Sequence, residues 1–247
     1  FAAETMVRGY ARFIDANTVQ VDEHTRIQAN SFVVATGSTP VIPPELLGAA
    51  DRVLVNDDVF EWEDLPKRIV VVGSGVIALE LAQALARLGV ETTVLARSNS
   101  LGGISDPVVR EAARHAFEQE LTLKAHAKVK TTEVKNNQVV VTYEHNKEEH
   151  QLQADFVLSA AGRRPNVAAL QLEKAGASFD EKGMPTFDPH TLLIKNTSIF
   201  FAGDVNNQHP ILHEAADDGF QSGLNAANWR QAPQAVARRA SMGVVFT

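Results

Sequence analysis

Residues 69–97 read IVVVGSGVIALELAQALARLGVETTVLAR, and this stretch decides the fold. IVVVG (69–73) is an unbroken apolar run, the composition of a strand buried on both faces of a parallel sheet. Gly73-Ser74-Gly75-Val76-Ile77-Ala78 follows as a GxGxxA pattern. Ala and Leu at helical spacing then run to Gly89, which ends the helix. ETTVLAR (91–97) is a second strand. Strand, glycine turn, helix and strand within one unit of this length point to a dinucleotide. Gly73 permits the tight turn, Gly75 leaves room for a pyrophosphate to approach the backbone, and Ala78 lets the helix pack closely on the strand. Ser74, Val76 and Ile77 complete the loop and the helix start, whose free amides face phosphate charge. The bland alternative is that the glycines serve only a turn.

The end of the second strand bears on which dinucleotide. An acid there bonds the ribose 2′-hydroxyl of NAD, whereas an arginine pairs with the 2′-phosphate of NADP. Ala96 and Arg97 occupy that end, and Glu91 lies too early, at the strand's start. The sequence leans to NADP(H); NAD(H), and Arg97 as an ordinary solvated residue, stay open.

Around this centre the chain has 247 residues, 45% hydrophobic and 21% charged, as in a soluble globular protein. A net charge of −7 argues against a broad nucleic-acid surface. No apolar run approaches the length of a membrane helix, and no signal segment is visible, so no membrane association and a cytoplasmic location are expected. The chain opens on Phe1 and is expected to be a portion of a longer one. It contains no cysteine, which excludes disulfides, zinc–thiolate sites and thiol nucleophiles within these residues. No metal site is expected.

Upstream, residues 4–40 read as short strands with turns at Asp15–Asn17 and Asp22–His24, ending in the buried strand SFVVATG (31–37). TPVIPPELLG (39–48) is read as a non-helical linker because of Pro40, Pro43 and Pro44. Downstream, Asp106 or Ser105 caps a helix with Pro107 in its first turn. A hairpin turns at Asn136–Asn137, and ADFVLSAAG (154–162) returns to a buried strand. TSIFFAGDV (197–205) is another buried strand, PILHEAADDGFQSGLNAANWRQ (210–231) starts a helix, and MGVVFT (242–247) begins an apolar strand.

FVVATGSTPVIP, VVGSGVIALELAQALARLG, AAGRRPN, FFAGDV and LHEAADDG follow one another in an order that resembles the pyridine nucleotide–disulfide oxidoreductases, most of all the dihydrolipoamide dehydrogenases. The resemblance implies an α/β fold: a Rossmann-like NAD(P) domain with a three-layer sheet, inserted in an incomplete FAD domain. It implies that 1–46 closes the first FAD segment, 47–166 is the NAD(P) domain, 167–235 is the second FAD segment and 236–247 is a stub of a dimerisation domain.

By position, Thr36 and Gly37 resemble the turn that approaches FAD. Gly203 and Asp204 resemble a second FAD motif, whose carboxylate accepts a bond from the ribityl chain. Pro210, Ile211, Leu212 and His213 match a helix start whose amides face the flavin ring. Gly162 resembles a glycine beside the nicotinamide nucleotide, and Glu80 a glutamate at the flavin–nicotinamide junction. Plainer readings exist: Asp204 as a turn cap, His213 as a structural histidine, GRRPN as a turn.

The resemblance further implies hydride transfer between NAD(P)H and FAD, a dithiol or disulfide substrate, and a homodimeric parent. The family's first GxGxxG, its cysteine pair and nearby lysine, and its C-terminal His-Glu pair have no counterpart in these residues, so none is assigned as catalytic. The 247 residues alone are expected to bind NAD(P), to hold flavin poorly and not to turn over. A stand-alone NAD(P)-binding module and a non-catalytic fragment are the alternatives.

Overall fold

The computed structural model of the protein describes residues 5–235 and 243–247. The chain divides into two compact units, residues 1–39 with 165–243 and residues 40–164 with 244–247.

The first unit opens with a small antiparallel sheet of β1 (Arg12–Phe13), β2 (Thr18–Gln20) and β3 (Arg26–Gln28). Its turns are closed by carboxylates: Asn17 N–H donates to Asp15 and His24 N–H to Asp22, both at 2.8 Å. β4 (Phe32–Val34) follows, and β5 (Ser38–Pro40) carries the chain into the second unit.

The second unit has three layers. Its centre is a parallel sheet in the order β6 (Val53–Leu54), β13 (Phe156–Ser159), β7 (Arg68–Val72), β8 (Glu91–Leu95), β9 (Thr122–Lys124). β7 is covered on both faces, which is why its sequence does not alternate. Ile69 and Val71 point toward α1 (Val76–Arg87) and α2 (Pro107–Glu118), joining Ala78, Leu79, Ala82, Leu85 and Phe117 in one core. Val70 and Val157 face the other way, into a core with Val139, Val141 and Tyr143. Those come from an antiparallel meander of β10 (Lys128–Lys135), β11 (Gln138–His145) and β12 (Glu148–Ala154).

Local signals place most of these elements. Asp106 accepts hydrogen bonds from the N–H groups of Val108 and Val109 at the start of α2, with Pro107 in its first turn. Asn136 and Asn137 take φ of 50° and 63° at the β10–β11 turn, the left-handed pair a tight hairpin needs. The stretch expected to be a non-helical linker, residues 39–48, is only partly so: its residues 44–48 belong to a 3-10 helix, Pro44–Arg52. Pro43 and Pro44 sit at its cap and first position, where a missing N–H costs nothing. Thr132 Oγ1 donates to Glu45 O at 3.1 Å, fixing the segment to the meander.

Asp155 joins two strand entries by accepting the N–H groups of Lys67 and Arg68, each at 2.9 Å. Burial works to raise its pKa, but the hydrogen bonds from Arg68, Gln138 and Lys67 outweigh it and hold the carboxyl below its ordinary value. A depressed carboxylate stabilises the fold above the unfolded-state pKa, and that contribution is lost as pH falls through the folded value. Acidification through the ordinary aspartate range and below is therefore expected to remove this contribution, discounted for solvent screening. Denaturant midpoints for the parent and Asp155→Asn should converge over that interval; parallel curves would show that the carboxylate does not contribute.

β14 (Arg163–Pro165) returns the chain to the first unit, which ends with β15 (Ile199–Phe201) and α3 (Leu212–Ala227). β15 pairs in parallel with β4, register Ile199↔Phe32 to Phe201↔Val34. Phe13, Val34, Leu172, Ile194, Ile199, Phe201 and Val205 form this unit's own core. Residues 243–247 form no strand; 236–242, the start of the expected dimerisation stub, lie outside the described residues. Among the described residues no helix is long and apolar enough to cross a membrane.

Candidate dinucleotide site and flavin-type turns

In the second unit the strand order reverses at β7: α1 leads to β8 on one side, while β13 lies on the other. Ligands of open α/β sheets sit in the crevice at the carboxyl ends of strands flanking such a point. A cleft of about 600 Å³ opens there. Gly73, Ser74 and Gly75 line it from the end of β7, Ala160, Ala161 and Gly162 from the end of β13, and Arg97 and Ser98 from the end of β8. Val41, Pro43, Pro44 and Leu46 form a further wall with Ala127, Lys128 and Val129.

The loop after β7 is fixed by its own backbone. Gly73 N–H donates to Leu95 O at 3.0 Å, and Gly102 N–H to Ser74 O at 2.8 Å. The Ser74 hydroxyl donates to Ser100 O at 2.7 Å, so it is spent inside the protein. Gly75 is the N-cap of α1, and no side chain caps this helix. The amides of its first turn, Val76 to Ala78, are thus left for an outside acceptor.

The two glycines differ in what they require. Gly73 has φ of +128°, and a Cβ there would stand 2.2 Å from Ala160 O. That carbonyl lies just past the end of the neighbouring strand β13, so Gly73 is demanded by the fold itself. Gly73→Ala is expected to destabilise by about 2–4 kcal/mol through strain and overlap, read as a lower thermal midpoint. An unchanged midpoint would mean that the loop yields freely. Gly75 has an ordinary φ of −73°, and a Cβ there would meet nothing within 4 Å. Among the described residues nothing requires glycine at that position. Ala78 is fully buried where α1 crosses the sheet.

Arg97 is exposed at the cleft, and among the described residues it joins no ion pair. Gly162 accepts the N–H of Val41 at 2.9 Å, tying the β13 exit to the proline wall. Glu80 does not line the cleft. It sits half-buried on α1, and its carboxylate accepts the N–H of Phe246 at 2.8 Å.

In the first unit the ATG and AGD turns leave the carboxyl ends of the paired strands β4 and β15. Asn166 clasps the first turn. Its side-chain amide donates to Thr36 O at 2.9 Å, its N–H donates to Gly37 O at 3.0 Å, and its carbonyl accepts Thr36 Oγ1 at 2.8 Å. Ser38 Oγ donates to Asp204 at 3.1 Å, which brings the two turns together. Asp218 on α3 accepts Gly203 N–H at 3.2 Å and the Asn206 amide at 2.6 Å, fixing the helix to the AGD turn. A Cβ on Gly203 would come within 3.1 Å of Ala215. α3 lacks a side-chain cap; Pro210, Leu212 and His213 at its start are exposed, and Ile211 is its N-cap.

Several contributors escape the sequence. The proline wall and Lys128 carry no motif, and the buried Asp218 looks like any helical acid. Asn166 was visible inside GRRPN, but its role as a clasp depends on the ATG turn lying beside it. Among the described residues no cluster of His, Asp and Glu is placed to hold a metal.

Comparison with known proteins gives this geometry a family. The chain is 35% identical over 244 residues to a mercuric reductase of Staphylococcus aureus, covering 98% of this chain and 44% of the relative. It is 33% identical over 216 residues to a dihydrolipoyl dehydrogenase of Staphylococcus aureus, covering 85% and 46%. Among solved structures it resembles the Cu(II) complex of the HOCl-induced flavoprotein disulfide reductase RclA of Escherichia coli, with a TM-score of 0.76 and 26% identity over 86% of this chain and 48% of that one. LpdA of Mycobacterium tuberculosis shares the fold at a TM-score of 0.84 and 24% identity, covering 98% and 54%. The chain spans about half the length of the curated relatives it matches. Residues 2–228 match the family described as pyridine nucleotide-disulphide oxidoreductase, and the chain belongs to that family.

Proposed function

We propose that residues 40–164 bind a nicotinamide dinucleotide, with NADP(H) preferred to NAD(H). The observation that carries this is Gly75, a glycine that packing among the described residues does not require, at the mouth of a cleft on the sheet's switch point. In this reading the pyrophosphate rests on the uncapped first turn of α1, between Gly73 and Ala78. The apolar wall of Val41, Pro43, Pro44 and Leu46 suits a purine, and Arg97 pairs with a 2′-phosphate. Gly162 borders the nicotinamide half.

The same reading assigns the first unit to FAD. The donor set suits it: Gly37 has open space where a side chain would stand, Asp204 is held ready by Ser38, and the N-cap of α3, Ile211, supplies no side-chain cap. When bound, FAD supplies a hydride acceptor. Thr36 and Gly37 would let it approach the backbone, Asp204 would accept a hydroxyl of its ribityl chain, and residues 210–213 would place the helix's positive end at the ring. The activity proposed for the whole protein is hydride transfer between NAD(P)H and flavin, coupled to a dithiol or disulfide. These 247 residues contain no cysteine, so the thiolate of that second half belongs to the substrate or to residues outside this sequence. The proposed assembly is a homodimer.

Titration of the chain with NADPH and NADH, followed by nucleotide fluorescence, tests the reading. NADPH is expected to bind with a Kd on the order of 10 μM, and NADH at least about tenfold more weakly. If neither binds at about 1 mM, the assignment is wrong. If NADH binds more tightly, the NADP preference is wrong.

A further inference from the structure

The cleft wall holds a second cation that no motif marks. Ala96 N–H donates to Lys124 O at 2.9 Å, and Ala127 N–H donates to Ala96 O at 2.9 Å. Arg97 and Lys128 are the residues immediately after this hydrogen-bonded pair, one leaving β8 and the other opening β10. Tertiary pairing therefore sets them side by side at one edge of the cleft. Both are exposed, both line it, and among the described residues neither joins an ion pair. Two acids are near Lys128. Glu144 lies opposite it in the β10–β11 register; its carboxylate is bonded to Lys130 at 2.7 Å, and the charge of Lys128 also helps to hold it below its ordinary pKa. Glu45 lies in the same proline wall as Lys128, its carbonyl accepting Thr132 Oγ1 from the strand that Lys128 opens. Two cations therefore face the cleft against one acid among the described lining residues.

Resting on the dinucleotide reading above, we propose that Lys128 is a second ligand of the 2′-phosphate of NADP(H), and that it and Arg97 together set the preference for the phosphorylated cofactor. A phosphate monoester carries close to two negative charges at neutral pH, as phosphorylated side chains do. One guanidinium balances half of that. Arg97 supplies a planar fork that fixes orientation, and Lys128 supplies a compact charge on a flexible stem. With two cations, 2′-phosphate recognition is spread over two strands and does not depend on the β8 end alone.

The test uses the full chain, unsubstituted and as Lys128→Ala, Lys128→Arg and Arg97→Ala. Each is titrated with NADPH, NADH, adenosine 2′,5′-bisphosphate and 5′-AMP at low and high salt. Lys128→Ala is expected to weaken NADPH and the bisphosphate roughly tenfold, the scale of one charge-assisted contact. NADH and 5′-AMP should shift by less than about twofold, and the salt dependence of NADPH binding should flatten. Lys128→Arg should restore most of the affinity. Lys128 is exposed, so circular dichroism is expected to show unaltered folding. If Lys128→Ala binds NADPH as tightly as the unsubstituted chain while Arg97→Ala does not, the proposal is overturned and the dinucleotide site stands. Equal losses for NADPH and NADH would also overturn it, since Lys128 would then hold a part common to both. If the unsubstituted chain binds neither dinucleotide, the site assignment itself fails and takes the proposal with it.

Discussion

Gly75→Val is expected to lower dinucleotide affinity by about 100-fold or more, while shifting the thermal midpoint by no more than about 2–4 °C. The two effects separate because of what surrounds Gly75. Its φ of −73° and ψ of −179° suit any residue, and a Cβ would meet no atom of the described residues within 4 Å. The stability cost is confined to capping, where valine is poorer than glycine by about 1 kcal/mol. The empty space is where the proposed pyrophosphate approaches the first-turn amides, and an isopropyl group there displaces it. Loss of about 3 kcal/mol of binding corresponds to the stated factor. Isothermal titration beside a thermal melt checks both quantities. Retained affinity would place the phosphates elsewhere; a collapsed midpoint would show that Gly75 is structural after all. Gly73→Ala supplies the contrast, because there the colliding atom is the protein's own Ala160 carbonyl.

Arg97→Glu is expected to invert cofactor preference. Removing the guanidinium forfeits a charge-assisted pair with the 2′-phosphate, about 1.5–3 kcal/mol. The introduced carboxylate repels that phosphate and offers the ribose 2′-hydroxyl of NADH an acceptor. The expected outcome is a rise in the NADPH Kd of roughly 100- to 1000-fold, and a severalfold tightening of NADH. Arg97 is exposed and joins no ion pair among the described residues, so its replacement should leave folding within about 0.5 kcal/mol. Paired titrations at two ionic strengths give the answer. An unchanged ratio of the two constants would assign Arg97 to the solvent. In Lys128→Ala the loss should be smaller than in Arg97→Glu, because no repulsive charge is introduced.

Some of the architecture was legible because its causes are local. The βαβ unit reads directly from an apolar run, a glycine turn and helical spacing, all within residues 69–97. The Asp106 cap, the Asn136–Asn137 hairpin turn and the carboxylate-closed turns at Asp15 and Asp22 depend on neighbours a few residues away. The sequence reads residues 39–48 as a non-helical linker, whereas residues 44–48 open the 3-10 helix Pro44–Arg52. Pro43 and Pro44 look like breakers in the sequence, but they occupy the helix entry, where proline is tolerated. What packs against that helix, the Thr132 edge of the meander, lies far along the chain and leaves no mark near residue 44.

Sequence by itself determined the residue types at the phosphate turn, the basic end of β8 and the order of the motifs that mark the family, since each is set by short-range sterics and chain direction. Only the tertiary structure decided which surfaces enclose the cleft. β13 pairs beside β7 after the chain has passed through α1, α2 and the whole meander, and that pairing sets Ala160 against Gly73 and Gly162 across from Arg97. It likewise took the Ala96–Ala127 hydrogen bond to bring Lys128 to the cleft edge. Parallel strands are joined by long crossovers, so neighbours in the sheet are strangers in the sequence. A site built at their carboxyl ends exists only once the sheet has closed.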